Sequence, residues 1–353
     1  MSKPLLIYGA NGFTGRLIVQ LAVSRGLRPI VAGRSAGPIH ALAERHDLES
    51  RVFGLGDGGQ ARAALDGVGA VLHCAGPFVH THKTMVDACM ESGAHYLDIT
   101  GEVEVFEALR ARDEEARAAG VLLLPGVGFD VVPSDCLAVY LAGALPDASR
   151  LTLAILGLGS ISHGTARTVA ENLGRGAAVR EGGRLKSIAL GTRRRSVDFG
   201  PVQCETTAIA WGDLSTAYRS TGIPNIEVYM GLPKRQLRSL AWVRALSPVL
   251  SSRPIQGLIR ARIDATIVGP DEEQRAASRG HLWGEAAAPD GRTVSARLHT
   301  PDGYDLTADA AVTIASRVLA GEGGRGFQTP GLAFGPDLVL QLNGVEREEL
   351  QSV

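Results

Sequence analysis

Three glycines, Gly9, Gly12 and Gly15, follow the short apolar run of residues 5–8 and open a helical pattern that Arg25-Gly26 ends. Lacking side chains, they let backbone N–H groups approach a pyrophosphate at the helix N-terminus, where aligned peptide dipoles favour an anion. That is dinucleotide chemistry. The spacing, G-x-x-G-x-x-G, departs from the G-x-G-x-x-G of the NAD-binding unit, so the weight rests on the strand before and the helix after. Nineteen residues beyond Gly15, behind a second apolar run at 30–32, stand Arg34 and Ser35. An NAD-binding unit usually carries Asp or Glu there for the ribose 2′-hydroxyl, whereas a guanidinium suits a 2′-phosphate. The expected cofactor is NADP, held by Gly9, Asn11, Gly12, Phe13, Thr14, Gly15, Arg34 and Ser35. The plain alternative for Arg34 is a solvated surface charge.

Other chemistries find less support. His80 and His82 share a face only in a strand, in a region that reads as a helix start, and two imidazoles without a third ligand make no zinc site. No metal is expected. Cys74 has no companion base nearby in sequence, so packing under the cofactor is its expected duty. Gly159-Ser160 is not followed by the glycine of a Gly-x-Ser-x-Gly elbow. None of the six tyrosines has a lysine four positions on, so the Tyr-x-x-x-Lys dyad of short-chain dehydrogenases is missing.

The elements that must position the glycines alternate. Strands are expected at 5–8, from 30, at 51–55, 70–75, 95–99 and 121–124, with helices at 39–46, 61–65, 80–92 and 103–119 between them. In the first helix Phe13, Leu17, Ile18, Leu21 and Ala22 share one face, which can lie on a sheet. Such alternation implies an α/β fold with a parallel sheet, whose carboxyl edge is where ligands bind. Later strands at 151–156, 225–230, 281–287 and 293–300, with helices at 165–179 and 308–319, suggest a mixed or antiparallel sheet in a second domain.

At 353 residues the chain suits two domains. A net charge of −1 gives no electrostatic footprint for nucleic acid. Four scattered cysteines are expected as reduced thiols in the cytoplasm, and the first strand leaves no room for a signal peptide. No apolar run reaches the length of a membrane span. Residues 237–250 read as a buried or dimer-facing helix, with an interfacial membrane helix as the alternative. Arg193, Arg194 and Arg195 read as a solvated face, with phosphate or acyl-carrier contact as the lesser reading.

With these pieces placed, the chain resembles the saccharopine dehydrogenase-like superfamily, and within it the trans-acting enoyl reductase type. The resemblance rests on Gly9-Ala-Asn-Gly-Phe-Thr-Gly15 with Gly33-Arg34-Ser35, on Cys74-Ala-Gly-Pro-Phe78 and on Tyr96-Leu-Asp-Ile-Thr-Gly-Glu102. It continues through residues 126–135, the small-residue stretch 160–165 and the tail at 326–335. It implies a Rossmann NADP-binding domain over 1–130, an α+β substrate and dimerisation domain over 131–325, and a segment, 326–353, that returns to the first. It implies a reductase, with a homodimer expected. Where relatives often show Gly-Gly-Gly-Thr, this chain has Ser162-His163-Gly164-Thr165, which nominates His163 as a substrate contact.

Hydride transfer asks little of side chains beyond holding the nicotinamide against an acceptor carbon and stabilising developing charge. Cys74, Ala75, Gly76, Pro77 and Phe78, with Gly101 and Glu102, are expected to flank the nicotinamide and its ribose, and Phe129, Ser134 and Thr165 to line the substrate side. Without the Tyr–Lys dyad, ordinary carbonyl reduction is disfavoured. An enone differs, because the enolate left by hydride addition takes its proton from water or a weak acid. Asp130 and His163 are the candidates for polarising the carbonyl, the plain alternatives being a cap for Asp130 and a satisfied loop residue for His163. The function expected is NADPH-dependent reduction of a conjugated C=C bond in a polyketide, isoprenoid or acyl substrate. Two rivals stay open: C=N reduction of the saccharopine type, with Arg167 and Arg175 on one predicted helix as its anion pocket, and an NADP-binding redox sensor without turnover.

Overall fold

A computed structural model describes residues 3–157, 159, 162, 164, 166, 176–233, 235, 237, 239, 240, 245, 252–266 and 269–352. His163, Thr165, Arg167, Arg175 and most of 237–250 lie outside the described residues. The strands are β1 (Leu5–Tyr8), β2 (Ile30–Gly33), β3 (Ser50–Val52), β4 (Ala70–His73), β5 (His95–Asp98), β6 (Leu122–Leu124), β7 (Arg150–Gly157), β8 (Ala177–Glu181), β9 (Arg184–Ile188), β10 (Arg194–Asp198), β11 (Gln203–Ala208), β12 (Asn225–Gly231), β13 (Gly280–Ala287), β14 (Thr293–Thr300), β15 (Gly326–Phe327) and β16 (Glu346–Ser352). The fold is α/β, in two units. One comprises residues 1–132 and 304–334, the other residues 133–303 and 335–353.

The first unit is a seven-stranded parallel sheet in the order β15-β6-β5-β4-β1-β2-β3. Every residue of β1, β2, β4 and β6 is buried, as strands covered by helices on both faces require. The first helix, Phe13–Ser24, buries Gly15, Ile18, Val19 and Ala22, while Leu17 and Leu21 stay half-exposed. The stripe is thus rotated from the one expected, because Gly15 brings the helix backbone close against the turn at Gly9 and Ala10. The helix expected over 103–119 is two helices, Val103–Arg110 and Asp113–Ala118. Arg112 at the break pairs with Asp87 (2.6 Å) and Glu115 (2.6 Å), and Asp113 accepts the Phe327 N–H (2.8 Å), drawing the second helix towards β15.

The helix Gly303–Leu319 lies, from Tyr304 onward, in the first unit and not in the second, as the 131–325 boundary had it. Its contacts explain why: Arg25 pairs with Asp309 (2.5 Å), Thr307 Oγ1 accepts the Phe129 N–H (3.0 Å), and Tyr304 stands edge-on to Phe13 at 5.0 Å. Nor does 326–353 return as one piece. Gly326 and Phe327 pair with β6, but β16 pairs antiparallel with β14 in the second sheet.

That second sheet runs β10-β11-β12-β7-β13-β14-β16, with β8 on β12 and β9 on β8. Only β12 and β7 are parallel, so the sheet is mixed. One face packs on the helix Val132–Ala144, where Gly284 leaves room for Leu137 and Leu141. No periodicity in the sequence marks that helix, and the helix expected at 165–179, which lies mostly outside the described residues, overlaps β8 at residues 177–179. The hairpins β8–β9 and β10–β11 were likewise unforeseen: β9 has no buried residue, so no alternating apolar pattern marks it.

Candidate cofactor and active site

Parallel register brings the carboxyl ends of three strands together: Tyr8 lies opposite Ala32 on one side and His73 on the other. The chain runs outward from β1 in both directions, so Gly9 stands at the switch point where open α/β sheets bind ligands. Gly9 has φ 79°, a left-handed conformation that disfavours side chains, and donates its N–H to Ala32 O at 2.8 Å. Gly12 N-caps the helix Phe13–Ser24 with no side chain over the mouth, and the first turn has no acidic residue. Phe13 and Thr14 therefore begin a helix whose leading N–H groups and dipole are offered to an anion.

Past β2, Arg34 is exposed and, among the described residues, engaged in no ion pair or hydrogen bond. Ser35 N-caps the next helix, Ala36–His46, without spending its hydroxyl on a cap bond. The Asn11 carboxamide lies against the bare Cα of Gly33. Burial holds the Tyr8 phenol above its usual range, with the Arg34 charge pulling the other way, which places that charge near the strand end. A glycine-lined, uncapped helix mouth with an unengaged guanidinium beside it fits the diphosphate and 2′-phosphate of NADP.

The loop after β4 forms the other wall. Cys74 donates its N–H to Tyr8 O (2.8 Å), and Ala75 packs where a Cβ on Gly9 would go. The Cys74 thiol is half-buried and desolvation pushes its pKa up, which suits packing and not nucleophilic attack. Gly76 and Pro77 then lead into a single 3-10 turn, Phe78–His80. Both oxygens of Glu102 are spent on it, accepting from Phe78 N (2.9 Å) and Val79 N (2.8 Å). Glu102, expected at the cofactor, therefore holds the loop.

His73, which the sequence reading passed over, supports the same loop. Thr81 gives its one hydroxyl hydrogen to Ala75 O (2.9 Å), so His73 Nε2, 2.9 Å from Thr81 Oγ1, is the donor to it. Its Nδ1 then carries no hydrogen, and it has no hydrogen-bond partner. Burial, with the His82 charge second, pushes the His73 pKa down to about 3 from 6.5. The folded value lies below the unfolded one, so the stability His73 contributes is complete above pH 6.5 and is lost as pH falls towards 3. Urea midpoints are expected to drop on acidification, and less steeply in His73→Phe; parallel slopes would mean that the ring titrates in the folded protein.

At the end of β5, Asp98 is fully buried and accepts from Thr100 N (3.0 Å), Gly126 N (2.9 Å) and the Tyr96 hydroxyl (2.7 Å). It ties the loop after β5 to the loop after β6. Burial raises it to about 6 against those hydrogen bonds. Asp130, on the second loop, is also raised to about 6, by burial first and the Glu102 charge second, and its Oδ2 fills the space a Cβ on Gly101 would need. Phe129 is anchored next to it through Thr307.

Asp130, Phe129, Gly101 and Glu102 are thus gathered at one sheet edge with the loop of β4. Ser134 is fully buried in the helix Val132–Ala144, in the other unit. His73 and Asp98 had one legible signal, a polar residue closing a strand that is otherwise apolar or aromatic. In the second unit, Arg193 pairs with Glu181 and Glu227, Arg194 bonds Leu237 O, and Arg195 pairs with Glu285 over the Trp283 ring. Arg193 and Arg195 are thus paired with carboxylates carried on the strands of the sheet. Among the described residues, no group of three His, Cys, Asp or Glu is placed to hold a metal ion, and no helix is long and apolar enough to cross a membrane.

Residues 5–124 match the family described as saccharopine dehydrogenase NADP binding domain. The human saccharopine dehydrogenase-like oxidoreductase is 30% identical over 156 residues, which cover 38% of this chain and 36% of that one. The trans-acting enoyl reductase of Mycobacterium leprae (strain TN) is 31% identical over 144 residues, covering 38% and 34%. The matched stretch spans about a third of either relative. Among solved structures, the apo histidine-tagged saccharopine dehydrogenase (L-Glu forming) from Saccharomyces cerevisiae superposes with a TM-score of 0.69 at 14% identity, over 99% of this chain and 100% of that one, a likeness of fold. These matches bear out both the resemblance and the cofactor inferred from Arg34. Residues 5–124, all within the first unit, are thus similar to a saccharopine dehydrogenase-type NADP-binding domain.

Proposed function

We propose that the chain is an NADPH-dependent oxidoreductase that reduces a conjugated C=C bond in a polyketide, isoprenoid or acyl substrate. The observation that carries the redox reading is the uncapped glycine mouth at Gly12 beside the unengaged Arg34. The enoyl preference rests on three supports: the missing Tyr–Lys dyad, the name of the Mycobacterium leprae relative, and an acid at Asp130 that burial raises to about 6.

The reduced nicotinamide supplies the hydride when bound. The chain's own residues do the remainder. The helix mouth and Arg34 fix the diphosphate and 2′-phosphate, and the loop 74–79, held by Glu102 and Thr81, walls the nicotinamide side before substrate arrives. Asp130 offers a proton to the enolate that hydride addition leaves. We place this activity in the cytoplasm and in a homodimer, whose subunit count sedimentation reads.

Incubation with NADPH and a panel of conjugated enones and enoyl thioesters is expected to oxidise NADPH and yield saturated product. Turnover confined to imines formed from a 2-oxo acid and an amino acid would move the assignment to C=N reduction. Saturable NADPH binding with no turnover on either panel would make the chain a sensor.

A further inference from the structure

We infer that Arg16 is a second specificity residue of the cofactor site, its guanidinium closing together with that of Arg34 on the 2′-phosphate of NADP. This role requires that the helix mouth binds NADP, as read above, and not that the bound nucleotide turns over.

Arg16 stands where a cation is disfavoured. It lies in the first turn of the helix Phe13–Ser24 and donates its backbone N–H to Gly12 O at 3.0 Å. A positive side chain there faces the positive end of the aligned peptide dipoles, which costs stability unless an anion intervenes. No acidic residue occupies that turn. Of the seven arginines in residues 5–64, four are differently placed: Arg25, Arg28, Arg51 and Arg62 pair with Asp309, Asp47, Glu49 and Glu91. Arg45 occupies the last turn of the helix Ala36–His46, where the dipole favours a cation. Among the described residues, Arg16 and Arg34 are the two of this group with neither a carboxylate nor a helix C-terminus to balance them.

Asn11 ties these two to one place. Its backbone O accepts from Arg16 Nη1 at 2.7 Å, which draws the guanidinium back over the turn between β1 and the helix. Its Oδ1 lies 3.2 Å from where a Cβ on Gly33 would stand, so the carboxamide reaches the end of β2, next to Arg34. That strand end is where the adenosine ribose is read, so the cofactor group that belongs beside it is the 2′-phosphate. The bond to Asn11 O orients the Arg16 guanidinium without neutralising it and uses one of its five N–H groups. The remainder of the fork is free in geometry to meet phosphate oxygens in pairs. A phosphate monoester carries nearly two negative charges at neutral pH, so one guanidinium leaves it half-matched and two match it. A side chain already held in place also loses less freedom when the ligand arrives.

Titration calorimetry on wild type, Arg16→Gln and Arg16→Lys with NADPH, NADH and adenosine 2′,5′-bisphosphate tests the assignment without any substrate. Arg16→Gln is expected to weaken NADPH and the bisphosphate by at least about 10-fold, the low end for a lost charged hydrogen bond, and NADH by no more than about twofold. Arg16→Lys, which keeps the charge but not the fork, should fall between. The unfolding midpoint of nucleotide-free Arg16→Gln should equal or exceed that of wild type, because a cation has left the positive end of the helix, and this separates lost affinity from misfolding. Equal losses of NADPH and NADH would put Arg16 on the diphosphate and overturn the inference, as would unchanged affinity for both. A selective loss of NADPH in a protein that oxidises NADPH with no acceptor would uphold the inference and defeat the reductase reading.

Discussion

Gly15→Ala is expected to remove saturable NADPH binding and to lower the unfolding midpoint of the protein. A Cβ at this position would run into Gly9 O and come within 2.9 Å of Ala10 Cα and 3.0 Å of Ala10 O. All three are backbone atoms, so no rotamer change relieves the contact. The helix must move off the turn, at an overpacking cost of about 1–3 kcal/mol, and the N–H groups that meet the diphosphate move with it. Shifts of this size in a positioned ligand cost on the order of 100-fold. Gly37 supplies the control: a Cβ there meets nothing within 4 Å, and it lies inside the helix Ala36–His46. Gly37→Ala should therefore leave binding untouched without stabilising the helix, because a Cβ on the residue before Pro38 disfavours helical backbone. Comparable loss of binding in both variants would mean that the helix mouth is not the anion site.

Arg34→Ala is expected to weaken NADPH binding by roughly 10–150-fold, the loss of a charged hydrogen bond of about 1.5–3 kcal/mol. NADH should bind almost as before, because Arg34 has no intramolecular partner among the described residues and its removal leaves nothing unsatisfied. The ratio of the two dissociation constants, read by fluorescence titration in wild type and variant, isolates the 2′-phosphate contribution. Equal losses for both nucleotides would end the assignment of Arg34 as the selector.

Much of the first unit was legible because its physics is local. β1 and β4 are short apolar runs between glycine-rich turns, and the expected spans match the observed strands to within two residues. The glycine mouth and Arg34 declare themselves through spacing alone. Residues whose role is set across the sheet were harder to see. Thr81 was unremarkable until the fold put its hydroxyl between His73 and Ala75, and Glu102 was assigned to the cofactor because nothing local shows it reaching the amides of Phe78 and Val79. The second unit hides its hairpins for a related reason. β9 and β10 are mostly exposed, with ion pairs such as Arg193–Glu227 taking the place of apolar alternation. The helix Val132–Ala144 was obscured by its glycine- and proline-rich approach and by a composition apolar on every side, which leaves no stripe to read.

The threading of the chain through its two units bears on the order in which they can form at the ribosome. When residue 132 has emerged, β6 still lacks its neighbour, since β15 is synthesised about 190 residues later, on the order of ten seconds or more at ordinary elongation rates. The other sheet waits as well, because β14 gains its outer partner only with β16. During that interval both sheets carry open edges of the kind that pair indiscriminately with other chains. A nascent polypeptide of this design needs shelter until β15 and β16 are made, and fragments cut at residue 132 should be recovered from cells chiefly as aggregates.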